Sequence, residues 1–215
     1  MRSREEMAEV IRRLEAYYPD AHCALEAGND AFRLLVMAIL SAQCTDARVN
    51  LVSGPLFERF PDAPSMADGS IEEIEDLIRT CGLYHSKAKN LRLTAARLTE
   101  VYGGQVPSEM EELLTLAGVG RKVANLIRGD VFGLGGIVAD THCIRISNLL
   151  GFASSTDPHK VELALDKLVP KEQQSDFCHR LVQYGRDVCI ARRPQCASCV
   201  LRDLCDHAKG QEEVH

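Results

Sequence analysis

The sequence predicts an all-α protein. Aromatic residues make up only 5% of a chain whose apolar share is 46%. Its cores must therefore rest on Leu, Ile, Val and Ala, a composition that leans towards helices. Polar capping residues repeatedly precede apolar residues at helical spacing. Gly136–Ala139 is the one stretch that reads as a strand, and a single strand makes no sheet.

The elements follow in order. Asp30 caps a helix through Phe32–Leu40 that is apolar all round and so buried on every side. Thr45 or Asp46 caps the next, with Val49, Leu56 and Phe57 facing inward. Ser70 with Glu73, and Ser108 with Glu111 after Pro107, have capping-box spacing. Ala88, Leu91, Ala95 and Leu98 predict an amphipathic helix over 86–102. Asp140 caps a helix through Ile144–Leu150. Asp157-Pro158 places an N-cap before a first-turn proline, with Val161, Leu165 and Leu168 behind it. Gly133-Leu134-Gly135-Gly136 is the most flexible interior stretch and a candidate domain junction.

Length and charge exclude several classes. A chain of 215 residues holds one or two domains at ~100–200 residues each. The apolar run Leu34–Leu40 is far short of the ~20 residues that cross a membrane. The N-terminus mixes both charges and lacks the apolar core of a secretory signal, so a cytoplasmic protein is expected. Nine cysteines, an odd number in a chain without an export signal, argue for metal or redox chemistry over a disulfide framework. The net charge of −6 speaks against nucleic acid only as an average. Residues 77–99, 113–129 and 188–202 contain no acid and hold eleven of the 25 Lys and Arg. Local fields, not totals, govern binding.

Four cysteines stand apart. Cys189, Cys196, Cys199 and Cys205 are spaced C-x6-C-x2-C-x5-C. Four thiolates so close call for a metal. Zinc with four cysteines or a [4Fe-4S] cluster both fit, and the single tight pair with longer arms suits the cluster better. Arg192, Arg193 and Arg202 project from this loop. Cys23, Cys44, Cys81, Cys143 and Cys178 read as small buried hydrophobes.

Residues 108–129 read as helix, tight turn, helix. Gly118 and Gly120 permit positive φ, so the chain reverses in few residues. The amides of the turn and of the next helix start then face outward and suit a phosphate. Val119, Val123 and Ile127 form the buried stripe of that helix, with Lys122 about 100° away. A cation in the first turn opposes the helix dipole, and Arg121 beside Lys122 adds to this. An amine there is either a phosphate contact or a nucleophile able to form a Schiff base. Asp140 follows Ile137-Val138-Ala139, where a carboxylate can serve a reacting centre besides capping a helix.

Taken together, L-A-G-V-G-R-K-V-A-N, V-A-D-T-H and the cysteine spacing resemble the helix-hairpin-helix DNA glycosylases, most closely the endonuclease III branch. L-S-A-Q-C-T-D at 40–46 and G-L-Y-H-S-K-A at 82–88 fit as well. The resemblance runs from about residue 30 to 205. It implies base excision repair by a bifunctional glycosylase and abasic-site lyase that acts on oxidised pyrimidines in duplex DNA. By motif position Lys122 would attack C1′ of the damaged nucleotide, and Asp140 would stabilise charge on the sugar and assist proton transfer. Gly118, Gly120 and Arg121 would hold the backbone. Gln43 and Leu83 would fill the gap left by a flipped nucleotide. The implied fold has a helical bundle domain over 25–135 that contains the hairpin. An iron–sulfur cluster domain would be built from 1–24 with 136–215. A monomer at the nucleoid, with no membrane association, is implied. Ala117 stands where the family often has Pro, Ala139 where Val is frequent, and Cys143 where an aliphatic is usual. The rivals are a thymine- or adenine-mismatch glycosylase of the same superfamily, whose base-removing members tend to lack Lys at 122, and a non-catalytic iron–sulfur DNA-binding module.

Overall fold

The computed structural model describes residues 2–212, and every described element is helical or irregular. α1 (Arg4–Tyr17) opens the chain. There follow α2 (Ala31–Leu40), α3 (Asp46–Arg59), α4 (Ala63–Asp68), α5 (Ile71–Ile78), α6 (Tyr84–Tyr102), α7 (Met110–Leu113) and α8 (Arg121–Asp130). The last are α9 (Thr141–Leu149), α10 (Pro158–Asp166), α11 (Gln174–Asp187) and α12 (Asp206–Glu212). No described helix is long and apolar enough to cross a membrane. Gly136–Ala139 is an irregular strap, not a strand.

The chain divides into two compact units, Cys23–Phe132 and Met1–His22 with Gly133–His215. In the unit Cys23–Phe132, α2 is the central rod. All its residues from Leu34 to Leu40 are buried, as its unbroken apolar run requires. α3, α6 and α8 pack on it, and α6 in turn carries α4 and α5. Caps form where local spacing asks for them. Asp30 accepts from Arg33 N at 3.0 Å, Thr45 from Arg48 N at 3.3 Å and Ser70 from Glu73 N at 3.1 Å. The box at Ser108 and Glu111 does not form. The helix there is a single turn that starts one residue late, at Met110, so Ser108 lies outside the cap position and bonds Glu109 instead.

In the other unit, α1 and α9 pack on α11, and α10 on α9. Its core is Met7, Val10, Leu14, Ile146, Val161, Leu165, Phe177, Leu181 and Tyr184, with Leu168 only half-buried beside it. Asp140 and Asp157 cap α9 and α10 with bonds of 2.7 and 3.0 Å. The strap is pinned from α11. Gly136 N donates to Gln174 Oε1 at 2.7 Å, and Val138 N to Cys178 Sγ at 3.3 Å. Gln174 is fully buried, and its amide donates to Asp166 and to the Val169 carbonyl.

Packing leaves no slack at Gly69. A methyl group there would lie 2.4 Å from Cε1 of the fully buried Phe60. Gly69→Ala should therefore destabilise the protein by about 1–3 kcal/mol, measured by chemical denaturation.

Candidate functional site

The hairpin turn is shaped by two features. Gly118 has φ +77°, and a Cβ there would meet Asn90 Nδ2 at 2.9 Å. Thr94 Oγ1 donates to the Ala117 carbonyl at 2.8 Å and ties the turn to α6. Gly120 does not use positive φ, contrary to expectation. It is extended, at φ −100° and ψ 178°, as the N-cap of α8. Its role is to lack a side chain, so no side chain caps the start of this helix, and the first bond of the ladder is Ala124 N to Gly120 O at 2.9 Å. Lys122, the second residue of α8, is exposed. The buried face of α8 is Ala124, Asn125 and Ile127, while Val123 is half-buried. α8 packs on α2 and α7.

Two other turns of the same unit adjoin. Gln43 is exposed at φ 52°, and Leu83 at φ 60°. A Cβ on Gly82 would lie 3.2 Å from the Gln43 carbonyl oxygen, so the turns touch. Non-glycine residues rarely adopt this conformation, which concentrates at functional positions. Leu83 is also the N-cap of α6, with no side-chain cap, and is 57% exposed. An exposed leucine in a strained turn is unexplained by folding.

The 77–99 window is not one basic face. Lys87 is buried. Arg79 pairs with Asp76, Arg92 donates to the Gly69 carbonyl and Arg97 to Thr115 Oγ1. Spacing along a helix placed these cations correctly but could not show that a buried position and local acceptors would take them up.

In the other unit, Asp140 is half-buried and spends Oδ1 on the cap of α9. Cys143 and Cys178 are both buried, and the neighbouring Cys143 thiol, with burial, pushes the Cys178 thiol well above its ordinary range.

The four cysteines of the C-terminal loop line one cavity together with Leu149, Val188, Pro194 and Ala208. Burial pushes the thiols of Cys189 and Cys205 up, and at Cys189 the Arg145 guanidinium works against it. Arg145 donates to Cys189 Sγ at 3.4 Å, and Tyr184 Oη shares a hydrogen bond with Cys199 Sγ at 2.9 Å. Donors aimed at the sulfurs are what a cluster of thiolates needs. The residues therefore fit an iron–sulfur group. Arg192, Arg193 and Arg202 are exposed, as expected.

Sequence reasoning missed what holds the loop. Arg13 of α1 donates to the Val200 carbonyl at 2.8 Å and forks onto the Asp203 carboxylate at 2.5 and 3.0 Å. Arg2 donates to the Leu204 carbonyl at 2.6 Å and pairs with Asp206. No local pattern marks contacts between residues so far apart in the chain. The clue is only that a loop this poor in apolar residues needs outside anchors. Of the scattered cysteines, Cys81, Cys143 and Cys178 are buried as expected, whereas Cys23 and Cys44 are only half-buried.

Comparison with known proteins bears on both halves of this geometry. Residues 36–171 match the model described as HhH-GPD superfamily base excision DNA repair protein. Residues 189–205 match the iron–sulfur binding domain of endonuclease III. The chain is 44% identical to endonuclease III of Synechocystis sp. over 98% of its own length and 96% of that protein. It is similar to the solved structure of a trapped endonuclease III–DNA covalent intermediate, at 40% identity and a TM-score of 0.90, covering 99% of this chain and 100% of that one. A non-covalent endonuclease III–DNA complex matches with the same identity, coverage and TM-score.

Arg13 anchors the loop with three hydrogen bonds from α1. Arg13→Met should lower stability by about 1.5–3 kcal/mol. It should also speed loss of the loop's visible absorbance several-fold in the presence of an iron chelator.

Proposed function

The chain belongs to the endonuclease III family of HhH-GPD base excision DNA repair proteins, and on that premise we propose that Lys122 and Asp140 perform its chemistry. As a member of that family it is a DNA glycosylase and abasic-site lyase with a [4Fe-4S] cluster, and its partner is DNA. The observation that carries the assignment is the exposed Lys122 at the uncapped start of α8, in a chain similar to one trapped as a covalent DNA intermediate.

Lys122 Nζ attacks C1′ of the damaged nucleotide as the glycosidic bond breaks and the base leaves. Loss of a proton from nitrogen and opening of the sugar give a Schiff base. Abstraction of a proton from C2′ then expels the 3′ phosphate by β-elimination. Asp140 lies at the start of α9, where one carboxylate oxygen caps the helix. Its charge stabilises the cationic sugar and assists the proton transfers. Gly118, Gly120 and Arg121 grip the backbone phosphate through the turn and helix start. Gln43 and Leu83 occupy the space of the flipped nucleotide and wedge the opposite strand. The substrates are oxidised pyrimidines and abasic sites in duplex DNA, met by a monomer in the cytoplasm at the nucleoid.

Cys189, Cys196, Cys199 and Cys205 hold the cluster. When bound it supplies four iron–thiolate bonds that close the loop. Around it Arg145 and Tyr184 offset sulfur charge, and Arg13 fixes the outer turn. Residues 25–135 form the helical bundle domain and 1–24 with 136–215 the cluster domain, a reading supported by the division into the unit Cys23–Phe132 and a discontinuous unit.

Borohydride trapping on abasic-site DNA should yield a covalent adduct with the wild-type protein and none with Lys122→Ala. An undiminished adduct in that variant would remove Lys122 from the mechanism. Asparagine also caps helices, so Asp140→Asn should keep its fold and DNA affinity while single-turnover base removal slows about 100-fold or more.

A further inference from the structure

Two cysteines that this chemistry leaves unused face each other across the touching turns. Cys44 directly follows Gln43, and Cys81 directly precedes Gly82-Leu83. Backbone contact between Gly82 and Gln43 sets the two neighbours opposite one another. The Cys44 thiol is close enough to Cys81 to raise its pKa. Cys44 is half-buried and reaches solvent, whereas Cys81 is buried.

A third group completes the cluster. Lys87 is 4% exposed, and its Nζ has no hydrogen-bond partner among the described residues. A buried ammonium without a partner is costly unless a negative charge is formed nearby. Burial and the neighbouring Cys44 thiol push the Cys81 thiol up to about 11, and the cations of Lys87 and Arg48 act against them. The charge of Lys87 favours a thiolate at Cys81.

We propose that Cys44 and Cys81 form an oxidisable dithiol site that closes to a disulfide by exchange with a small-molecule disulfide such as oxidised glutathione. Cys44, the accessible sulfur, loses its proton and attacks one sulfur of the oxidant. The oxidant's S–S bond breaks, one glutathione thiolate leaves, and a mixed disulfide remains on Cys44. Cys81 then gives up its proton, with Lys87 stabilising the thiolate, and attacks Cys44 Sγ. The second glutathione leaves. The two cysteines are oxidised by two electrons, the oxidant is reduced by two, and the two protons end on the glutathione thiols.

Closure has a mechanical effect. A disulfide holds its sulfurs about 2.0 Å apart, closer than two unbonded thiols, so it draws the turns together. Gln43 and Leu83 are already in the left-handed region and have little freedom to absorb the shift. Oxidation therefore displaces both side chains and weakens DNA binding. This consequence rests on the reading of Gln43 and Leu83 as DNA contacts.

The holoprotein is equilibrated with oxidised glutathione, alkylated without reduction, digested and mapped by mass spectrometry. The expected result is a peptide cross-linked through Cys44 and Cys81. Dithiothreitol opens it, Cys44→Ala abolishes it and Lys87→Met slows its formation several-fold. Affinity for a duplex with a reduced abasic-site analogue should fall roughly tenfold on oxidation and recover with dithiothreitol. No cross-link, or a mixed disulfide on Cys44 alone, overturns the dithiol site. A cross-link with unchanged affinity overturns its control of binding. Borohydride trapping by the reduced protein is read in parallel. Its failure would strike the lyase reading and leave the cross-link result standing.

Discussion

An α-helix leaves its first amides without partners inside the helix, and side chains satisfy most of the helix starts in this chain. Ser3, Asp30, Thr45, Asp62, Ser70, Asp140 and Asp157 cap helices with their own side chains. α6, α7, α8 and α11 have no side-chain cap, and of these α6 starts on a left-handed Leu83 and α8 on an extended Gly120. A Ser or Asp at either place would put its oxygen where an incoming phosphate oxygen would sit. On the proposed function, leaving these starts bare keeps their amides available to DNA. Asp140 shows the other solution, since a carboxylate has two oxygens and the cap occupies one.

What the sequence reveals and what it hides follows from range. Caps at Asp30, Thr45, Ser70, Asp140 and Asp157 are legible because each acts on an amide three residues away. The apolar run of α2 is legible because a helix with no polar face has only one place to go. The box at Ser108 fails since it presumes a helix longer than the single turn that forms. Interactions between distant segments have no such signature. The burial of Lys87, the grip of Gln174 on the strap and the reach of Arg13 to Val200 all join residues far apart in the chain. Candidate site residues were legible as motifs, but their setting was not. The exposure of Leu83 and the contact between its turn and that of Gln43 come only from the fold.

The cysteines illustrate how one residue type divides by surroundings. Four line a cavity where donors face sulfur. Cys143 and Cys178 are sealed beneath Asp140, where Cys178 accepts from the strap and serves as a hydrogen-bond acceptor more than as a thiol. Cys44 and Cys81 are also neighbours but are not sealed, because a turn at the surface leaves Cys44 half-buried. Access, not pairing, distinguishes the inert pair from the reactive one.

The discontinuous unit has a consequence for biosynthesis. α1 leaves the ribosome well before α11, on which it packs, and before the loop that Arg13 holds. Between them the whole of Cys23–Phe132 is translated. Synthesis runs at roughly 5–20 residues per second, slow against the folding of helical bundles. The central unit can thus fold on the nascent chain while α1 remains an unpartnered amphipathic segment. Arg13 can take hold of the loop only once Val200 and Asp203 have been made.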